Sequence, residues 1–127
     1  MTTNENSINW FEISVKDINR AKKFYETIFD IKMEVSDMMG MEMATFPYQQ
    51  GKSMASGSLV KSEYHQPSKD GVKIYLNGNP DLSVALSKVE KAGGKITLPK
   101  TNIGEGIGHM AFFTDTEGNS VALHSNN

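Results

Sequence analysis

The sequence predicts an α+β fold in which two βαβββ modules form an open, curved mixed sheet around a cleft. The first observation behind this prediction is the length of 127 residues, which is typical of one domain. The second is an internal repeat, because a strand–helix–strand pattern begins near Ile8 and begins again near Gly71. The third is that short strand patterns follow the helix in both copies. A shift of 64 residues places Asp17 on Asp81, so the order of elements repeats although few identities remain.

The first module is predicted at about residues 7–61. Apolar and polar side chains alternate from Trp10 to Val15, which is typical of a half-buried strand. Asp17 is a suitable N-cap for a helix that runs to about Phe29. Strand patterns follow at residues 31–35, 41–46 and 56–60. The apolar stripe of the predicted helix consists of Ile18, Ala21, Phe24, Tyr25 and Ile28.

A polar connector at residues 62–71 leads to the second module, which is predicted at about residues 72–127. Its first strand pattern covers residues 72–77. Pro80 and Asp81 suit the start of a helix, and Gly93 and Gly94 suit its end. Strand patterns then cover residues 95–98, 107–114 and 119–125, with a turn at Gly118 before the last one. The two modules are therefore predicted to form a single domain over residues 1–127.

Composition and charge argue against several classes of protein. The net charge of −2 and the pI near 5.9 argue against a nucleic-acid partner. No apolar run approaches the roughly 20 residues of a membrane-spanning helix, and the N-terminus does not resemble a signal peptide. The sequence contains no cysteine, which excludes disulfides, thiol nucleophiles and zinc–thiolate sites. We therefore expect a cytoplasmic protein with no membrane partner.

Strand alternation sorts the side chains onto two faces of the sheet. One face packs against the helices and the other stays open, so two modules side by side would enclose a cleft suited to a small molecule. The side chains expected to face the helices are Phe11, Ile13, Val15, Val72, Ile74, Leu76, Val121 and Leu123. Those expected to face the cleft are Trp10, Glu12, Ser14, Ser58, Lys73, Tyr75, Asn77, Ser120, Ala122 and His124.

Two stretches carry a resemblance to a known family. The segments WFEISVKDINRAKKFYETIFDIK and LPKTNIGEGIGHMAFFTDTEGNSVALHS resemble the vicinal oxygen chelate (VOC) superfamily, and the second is most similar to its lactoylglutathione-lyase-related branch. This superfamily includes glyoxalase, bleomycin- and fosfomycin-resistance proteins, extradiol dioxygenases and methylmalonyl-CoA epimerase. The resemblance covers nearly the whole chain and implies the paired βαβββ fold. It also implies a homodimer, because exposed strand edges of such sheets often pair.

The metal enzymes of this superfamily hold a divalent ion with His, Glu or Gln at four equivalent strand positions. The resemblance places these positions at Trp10, Ser58, Lys73 and Ala122. An indole N–H has no lone pair to donate, alanine has no ligand atom, and a lysine cation repels a metal ion. We therefore expect no metal ligand and no cofactor at these positions. A metal site with shifted ligands is the alternative.

Glu12 and His124 follow the first and last of these positions by two residues, so they share the cleft face. A carboxylate and an imidazole there are candidates for acid and base catalysis, or for orienting a polar ligand. A polar pair that only stabilises the sheet is the alternative. His109 is a candidate third member of this group or a buried, hydrogen-bonded histidine. His65 lies in the connector and is expected to be solvated.

Three hypotheses for function follow. The first is a glyoxalase/bleomycin-resistance-like protein that binds or transforms a small molecule in the cleft without the usual metal. The second is an enzyme, either a metal-dependent lyase or dioxygenase with shifted ligands or a metal-free acid–base catalyst. The third is a protein that sequesters a drug. Trp10 and Tyr75 are expected either to stack on a flat ligand or to fill the space of the missing metal site.

Overall fold

The chain forms two four-stranded sheets and two helices in the computed structural model, which describes residues 1–49, 51 and 55–127. The first module contains β1 (Trp10–Ser14), α1 (Ile18–Phe29), β2 (Glu34–Met38), β3 (Met41–Thr45) and β4 (Ser56–Lys61). The second contains β5 (Tyr75–Asn77), α2 (Ser83–Leu86), β6 (Lys95–Asn102), β7 (His109–Thr114) and β8 (Ser120–Ser125). The strand orders are β1-β4-β3-β2 and β5-β8-β7-β6. The prediction of two βαβββ modules is confirmed.

Both sheets have the same mixed topology. β1 runs parallel to β4, β5 runs parallel to β8, and the other pairs in each sheet are antiparallel. Glu12 lies beside Ser58 on β4, and Tyr75 lies beside Ala122 on β8, so the parallel pairs match when β5 is aligned with β1 at one residue less than the shift of 64. The internal repeat therefore extends to the register of each parallel pair, which puts equivalent positions of the two modules on equivalent faces.

The helix α1 begins where the sequence predicts. The Asp17 carboxylate accepts a hydrogen bond from the Arg20 backbone N–H at 3.0 Å and so caps the first turn. At the other end the Glu26 carboxylate accepts the Met33 backbone N–H at 2.8 Å. Because this contact holds the chain against the helix end, β2 begins at Glu34 and not at residue 31 as predicted.

The second module departs from the predicted boundaries at both of its first elements. The regular helix covers only Ser83–Leu86, and a series of hydrogen-bonded turns continues to Gly93. β5 begins at Tyr75, three residues later than predicted. The prediction that Val72 faces the helices is wrong, since its side chain is 92% exposed. Alternation holds only where a strand is paired, and Val72 precedes the ladder between β5 and β8.

The two modules share one hydrophobic core. Phe24 and Tyr25 on α1 contact Phe113 on β7, with ring centroids 5.7 and 6.4 Å apart. Gly94 allows this approach, because a Cβ atom there would lie 2.7 Å from the Phe24 ring. The other residues predicted to face the helices are buried or half-buried. In the described part of the chain, no helix is long and apolar enough to cross a membrane.

Candidate functional site in the groove between the modules

A groove separates the first strands of the two modules. β1 and β5 are edge strands of their sheets, and no hydrogen bond joins them in the described part of the chain. Two cavities of about 340 and 560 Å³ lie along this junction, and both are lined by Ile8, Phe11 and Ile74. The smaller cavity also exposes Trp10 and Glu12. Concave sites of this size at the junction of two units are where proteins commonly bind small molecules.

The wall of this groove on the first module carries a chain of polar contacts. Glu12 Oε1 lies 2.8 Å from His65 Nε2, and His65 Nδ1 lies 2.7 Å from the Ser62 hydroxyl. The Tyr64 backbone N–H donates to the same hydroxyl oxygen at 3.0 Å. The expectation that His65 is solvated is therefore wrong, because the connector folds back over β1 and both ring nitrogens are bonded.

Ser58 lies next to this chain of contacts. It is fully buried and sits beside Glu12 in the register of β1 and β4. Its hydroxyl has no hydrogen-bond partner among the described residues. A buried hydroxyl without a partner costs free energy, and such groups mark places where a structure accepts a water molecule or a ligand.

Aromatic side chains flank both walls. Trp10 is 39% exposed and packs edge-to-face on Tyr48 with ring centroids 5.8 Å apart. On the second module Tyr75 is 50% exposed and packs edge-to-face on Phe112 at 6.2 Å. Apolar ligand surface can therefore contact aromatic rings on either side of the groove.

On the second module, a lysine lies next to the lining of the smaller cavity. Lys73 Nζ donates to the Ser120 hydroxyl and lies 4.3 Å from the centroid of the Phe112 ring. Ser120 lines the smaller cavity together with Glu12. Ala122, between Ser120 and His124 on β8, faces the same side but is fully buried.

The structure does not bring His124 to Glu12. His124 Nε2 bonds instead to the Ile107 carbonyl oxygen at 2.8 Å, which ties β8 to the loop before β7. His109 does not line the cleft as predicted. Alternation along β7 puts it on the side of the buried residues Ala111 and Phe113, and its Nδ1 atom is buried without a partner among the described residues.

The donor set at the four family metal positions does not fit a divalent ion. Trp10 and Ala122 offer no lone pair, Lys73 offers a cation, and Ser58 offers one neutral hydroxyl. The nearby carboxylate of Glu12 is bonded to His65. No group of three or more His, Cys, Asp or Glu side chains in the described ranges is placed to hold a metal. A metal ion here would have only the Ser58 hydroxyl and the Glu12 carboxylate as protein ligands among the described residues, and two protein ligands are rare for structural or catalytic ions.

A second polar cluster joins the modules behind the groove. Glu117, in the turn between β7 and β8, accepts two hydrogen bonds from the Arg20 guanidinium at 2.7 and 3.0 Å. It also accepts the backbone N–H groups of Lys16 and Asp17, both at 2.9 Å. Burial raises the pKa of the Glu117 carboxyl, but these hydrogen bonds outweigh burial and lower its pKa to about 2.

Asp115 in the same turn is buried and serves as the acceptor for four donors. It accepts the Tyr25 hydroxyl at 2.7 Å, the Glu117 backbone N–H at 2.8 Å, and both the backbone and side-chain amides of Asn119 at 2.9 and 3.0 Å. Burial first, and then the Asp115 carboxylate, raise the pKa of the Tyr25 hydroxyl well above its usual value. Both oxygens of the Asp115 carboxylate are therefore hydrogen-bonded, and the bond from Tyr25 attaches the turn to α1.

The chain belongs to the Glyoxalase/Bleomycin resistance protein/Dioxygenase superfamily, whose family model matches residues 7–123. Among relatives, a glyoxylase-like domain-containing protein from Didymella fabae is 32% identical over 124 residues, a match that covers 91% of each chain. A glyoxalase/bleomycin resistance protein from Albidiferax ferrireducens has a similar structure, with a TM-score of 0.70, 13% identity, and 96% and 100% of the two chains covered. Glyoxalase I from Zea mays gives a TM-score of 0.66 at 21% identity, with 93% of this chain aligned to 45% of that one.

Sequence reasoning predicted Glu12 as a residue of the candidate site and missed its hydrogen-bond partner His65. Strand alternation predicts Trp10, Glu12 and Tyr75 on the open face, and all three are exposed. His65 was missed because its contact with Glu12 joins residues 53 positions apart, and a connector has no periodicity to reveal its direction. The spacing of Ser62 and His65 was a usable signal, since a serine three residues before a histidine can bond to its ring within one turn.

Proposed function

We propose that this protein binds a small molecule in the groove between β1 and β5 without a bound divalent metal. The observation that carries the proposal is the occupancy of the four family metal positions by an indole, a hydroxyl, a lysine cation and a methyl group. The aromatic and polar side chains on both walls supply contacts that a metal would otherwise provide. The superfamily includes enzymes and resistance proteins, so the fold by itself does not select between them.

Metal content and ligand binding test this proposal together. The protein is purified from cells supplied with Ni, Zn, Fe and Mn, and bound metal is measured by mass spectrometry. We expect well below one ion per chain, and binding of small molecules that chelators do not change. One tightly held ion per chain, with lactoylglutathione lyase activity that EDTA removes and Ni or Zn restores, would establish the metal enzyme instead. Glu12→Gln and His65→Gln variants would then show whether these residues are the shifted ligands.

A specific observation also favours a second candidate function, metal-free acid–base catalysis. Ser62, His65 and Glu12 form a continuous hydrogen-bonded chain, and Glu12 keeps one carboxylate oxygen unbonded by the described residues. Such an arrangement orients a carboxylate to exchange a proton with a ligand. If the groove catalyses a reaction, Glu12→Gln removes turnover and retains most of the ligand affinity. His124→Asn serves as the control and retains turnover, since His124 bonds to a backbone carbonyl away from this chain.

We also propose that two copies of the chain form a homodimer through β2. All five residues of this edge strand are exposed, and the strand and the turn after it present Val35, Met38 and Met39. Pro99 and two register shifts interrupt the opposite edge strand, β6, so that edge is less suited to pairing. Sedimentation velocity of the wild type and of Val35→Lys tests this; the wild type should sediment as a dimer and the variant as a monomer. A monomeric wild type would refute the pairing.

A further inference from the structure

We propose that the groove selects a zwitterion, a small molecule with an apolar or aromatic side group whose ammonium group binds Glu12 and whose carboxylate binds Lys73. This inference rests on the metal-free binding proposed above and specifies the chemical class of the ligand. It depends on a carboxylate that lines the smaller cavity, on an ammonium group that is hydrogen-bonded to Ser120 in the lining of that cavity, and on the apolar side chains beside them. Each of these features is a property of described residues.

The negative wall is a carboxylate whose direction is fixed. The Ser62 oxygen accepts the Tyr64 N–H, so its own O–H is available to donate to His65 Nδ1. His65 Nε2–H then donates to Glu12 Oε1. This direction of hydrogen bonding is complete with a neutral imidazole. Its second oxygen has no partner among the described residues, and the side chain is 37% exposed at the cavity.

The positive wall is a lysine held by neutral groups. Several other lysines lie within ion-pair distance of carboxylates, namely Lys22 with Glu26, Lys61 with Glu42, and Lys100 with Asp81. Lys73 has no carboxylate partner in the described part of the chain. A hydroxyl and the face of an aromatic ring hold it in place. Its charge is therefore positioned and uncompensated, which suits it to bind an anionic group.

Several apolar side chains line the cavity beside Glu12. Ile8, Trp10, Val72 and Ile74 line the same cavity of about 340 Å³ as Glu12 and Ser120. Val72 is 92% exposed, which is unfavourable for an isolated valine and is relieved when a ligand covers it. An apolar or aromatic side group of the ligand would contact this surface, with Trp10 as its aromatic neighbour.

The position of Trp10 allows a direct binding experiment. It is the single tryptophan of the chain, so its fluorescence reports on this cavity. The zwitterionic probes are phenylalanine and glycyl-phenylalanine, which differ in the separation of their charges. Phenethylamine carries only the cation, and 3-phenylpropionate carries only the anion. We expect at least one zwitterion to bind about tenfold or more tightly than both singly charged probes, with calorimetry as the second measurement.

Two variants assign the charges to the walls. Glu12→Gln should weaken the zwitterion and phenethylamine by about tenfold and leave 3-phenylpropionate unchanged. Lys73→Met should weaken the zwitterion and 3-phenylpropionate and leave phenethylamine unchanged. Charge-retaining Glu12→Asp and Lys73→Arg should recover part of the affinity. Glu90→Gln and Lys23→Met, at exposed sites away from the groove, are the controls and should change nothing.

Each contrary outcome identifies which proposal fails. If the four probes bind within threefold of one another, or if neither groove variant alters this ranking, the zwitterion is wrong and metal-free binding of a small molecule stands. If none of the four probes binds while an uncharged planar compound does, the zwitterion is again wrong. If binding of any probe requires added Ni or Zn and is lost with EDTA, the metal-free function fails as well. Circular dichroism of each variant separates loss of binding from loss of fold.

Discussion

Carboxylates are hydrogen-bonded both in the turn at residues 115–119, which joins the modules, and at Glu12 on the groove wall. The two places differ in how many carboxylate oxygens are bonded and in how exposed the side chains are. In the turn, both oxygens of Glu117 and of Asp115 are occupied, and the Glu117 side chain has no exposed surface. On the groove wall, Glu12 uses one oxygen and remains partly exposed. A carboxylate with every acceptor site used stabilises the fold, whereas one with a free oxygen at a cavity remains available to a ligand.

The largest effect should come from Asp115→Ala in the turn. This change leaves the Tyr25 hydroxyl and three N–H donors without their acceptor in a buried place, so we expect a loss of about 3–5 kcal/mol in the free energy of unfolding. Urea denaturation measures it. Asp70→Ala, at an exposed position of the connector, is the control and should cost less than about 0.5 kcal/mol. A loss of that small size for Asp115 would mean that the turn does not fasten the modules.

Glu117→Gln should have the next largest effect, about 1–3 kcal/mol at pH 7, because it weakens the hydrogen bonds from Arg20. The pKa of Glu117 is lowered from 4.5 to about 2 in the folded protein. Its contribution is therefore fully present above pH 4.5 and is lost as the pH falls toward 2. Denaturation midpoints from pH 7 to pH 2 should converge for wild type and variant. A constant difference across this range would contradict the assignment.

His65→Gln should change stability by less than about 1 kcal/mol, because the Glu12–His65 pair is partly exposed. It should nevertheless alter ligand affinity or turnover, since Glu12 loses the group that orients it. His124→Gln is the matched control on the other module. Thermal denaturation and the Trp10 fluorescence titration, run side by side, separate the two quantities. Equal effects of the two histidine variants on ligand binding would show that His65 does not act by orienting Glu12.

The smallest effect should come from Ser58→Ala, within about 0.5 kcal/mol of wild type, because the Ser58 hydroxyl has no partner to lose among the described residues. Ser125→Ala is the variant with which the loss of stability in Ser58→Ala is compared. Ser125 is equally buried, but its hydroxyl accepts the Leu82 N–H at 2.9 Å and donates to the Asn127 carbonyl oxygen at 2.7 Å, so its loss should cost about 1–2 kcal/mol. If Ser58→Ala is the more damaging change, a bound water or ligand already satisfies that hydroxyl.

Much of the fold could be predicted from local patterns in the sequence. Alternation in β1 and the apolar stripe of α1 predicted both elements and their buried faces. The regular part of α2 is shorter than predicted because residues 87–93 close through varied turns, which a general preference for helix start and stop residues does not resolve. The late start of β5 depends on where β8 offers a partner, and that is a property of the folded sheet.

The candidate site was less predictable, for a physical reason. Pleat geometry placed Glu12 on the open face, but its partner was expected on β8 and lies in the connector. His109 has apolar neighbours on both sides, so alternation could not assign its direction. Contacts made by connectors depend on long-range packing, and local patterns carry little information about them.

The placement of Phe24 and Tyr25 against Phe113 determines whether either half of the chain can fold alone. Cutting the chain within residues 62–71 would leave each fragment with bare aromatic surface that only the other fragment covers. Expressed separately, the fragments should aggregate, and refolded together they should recover a native-like assembly. The two halves repeat the same order of elements, yet each depends on the other to cover its part of the core.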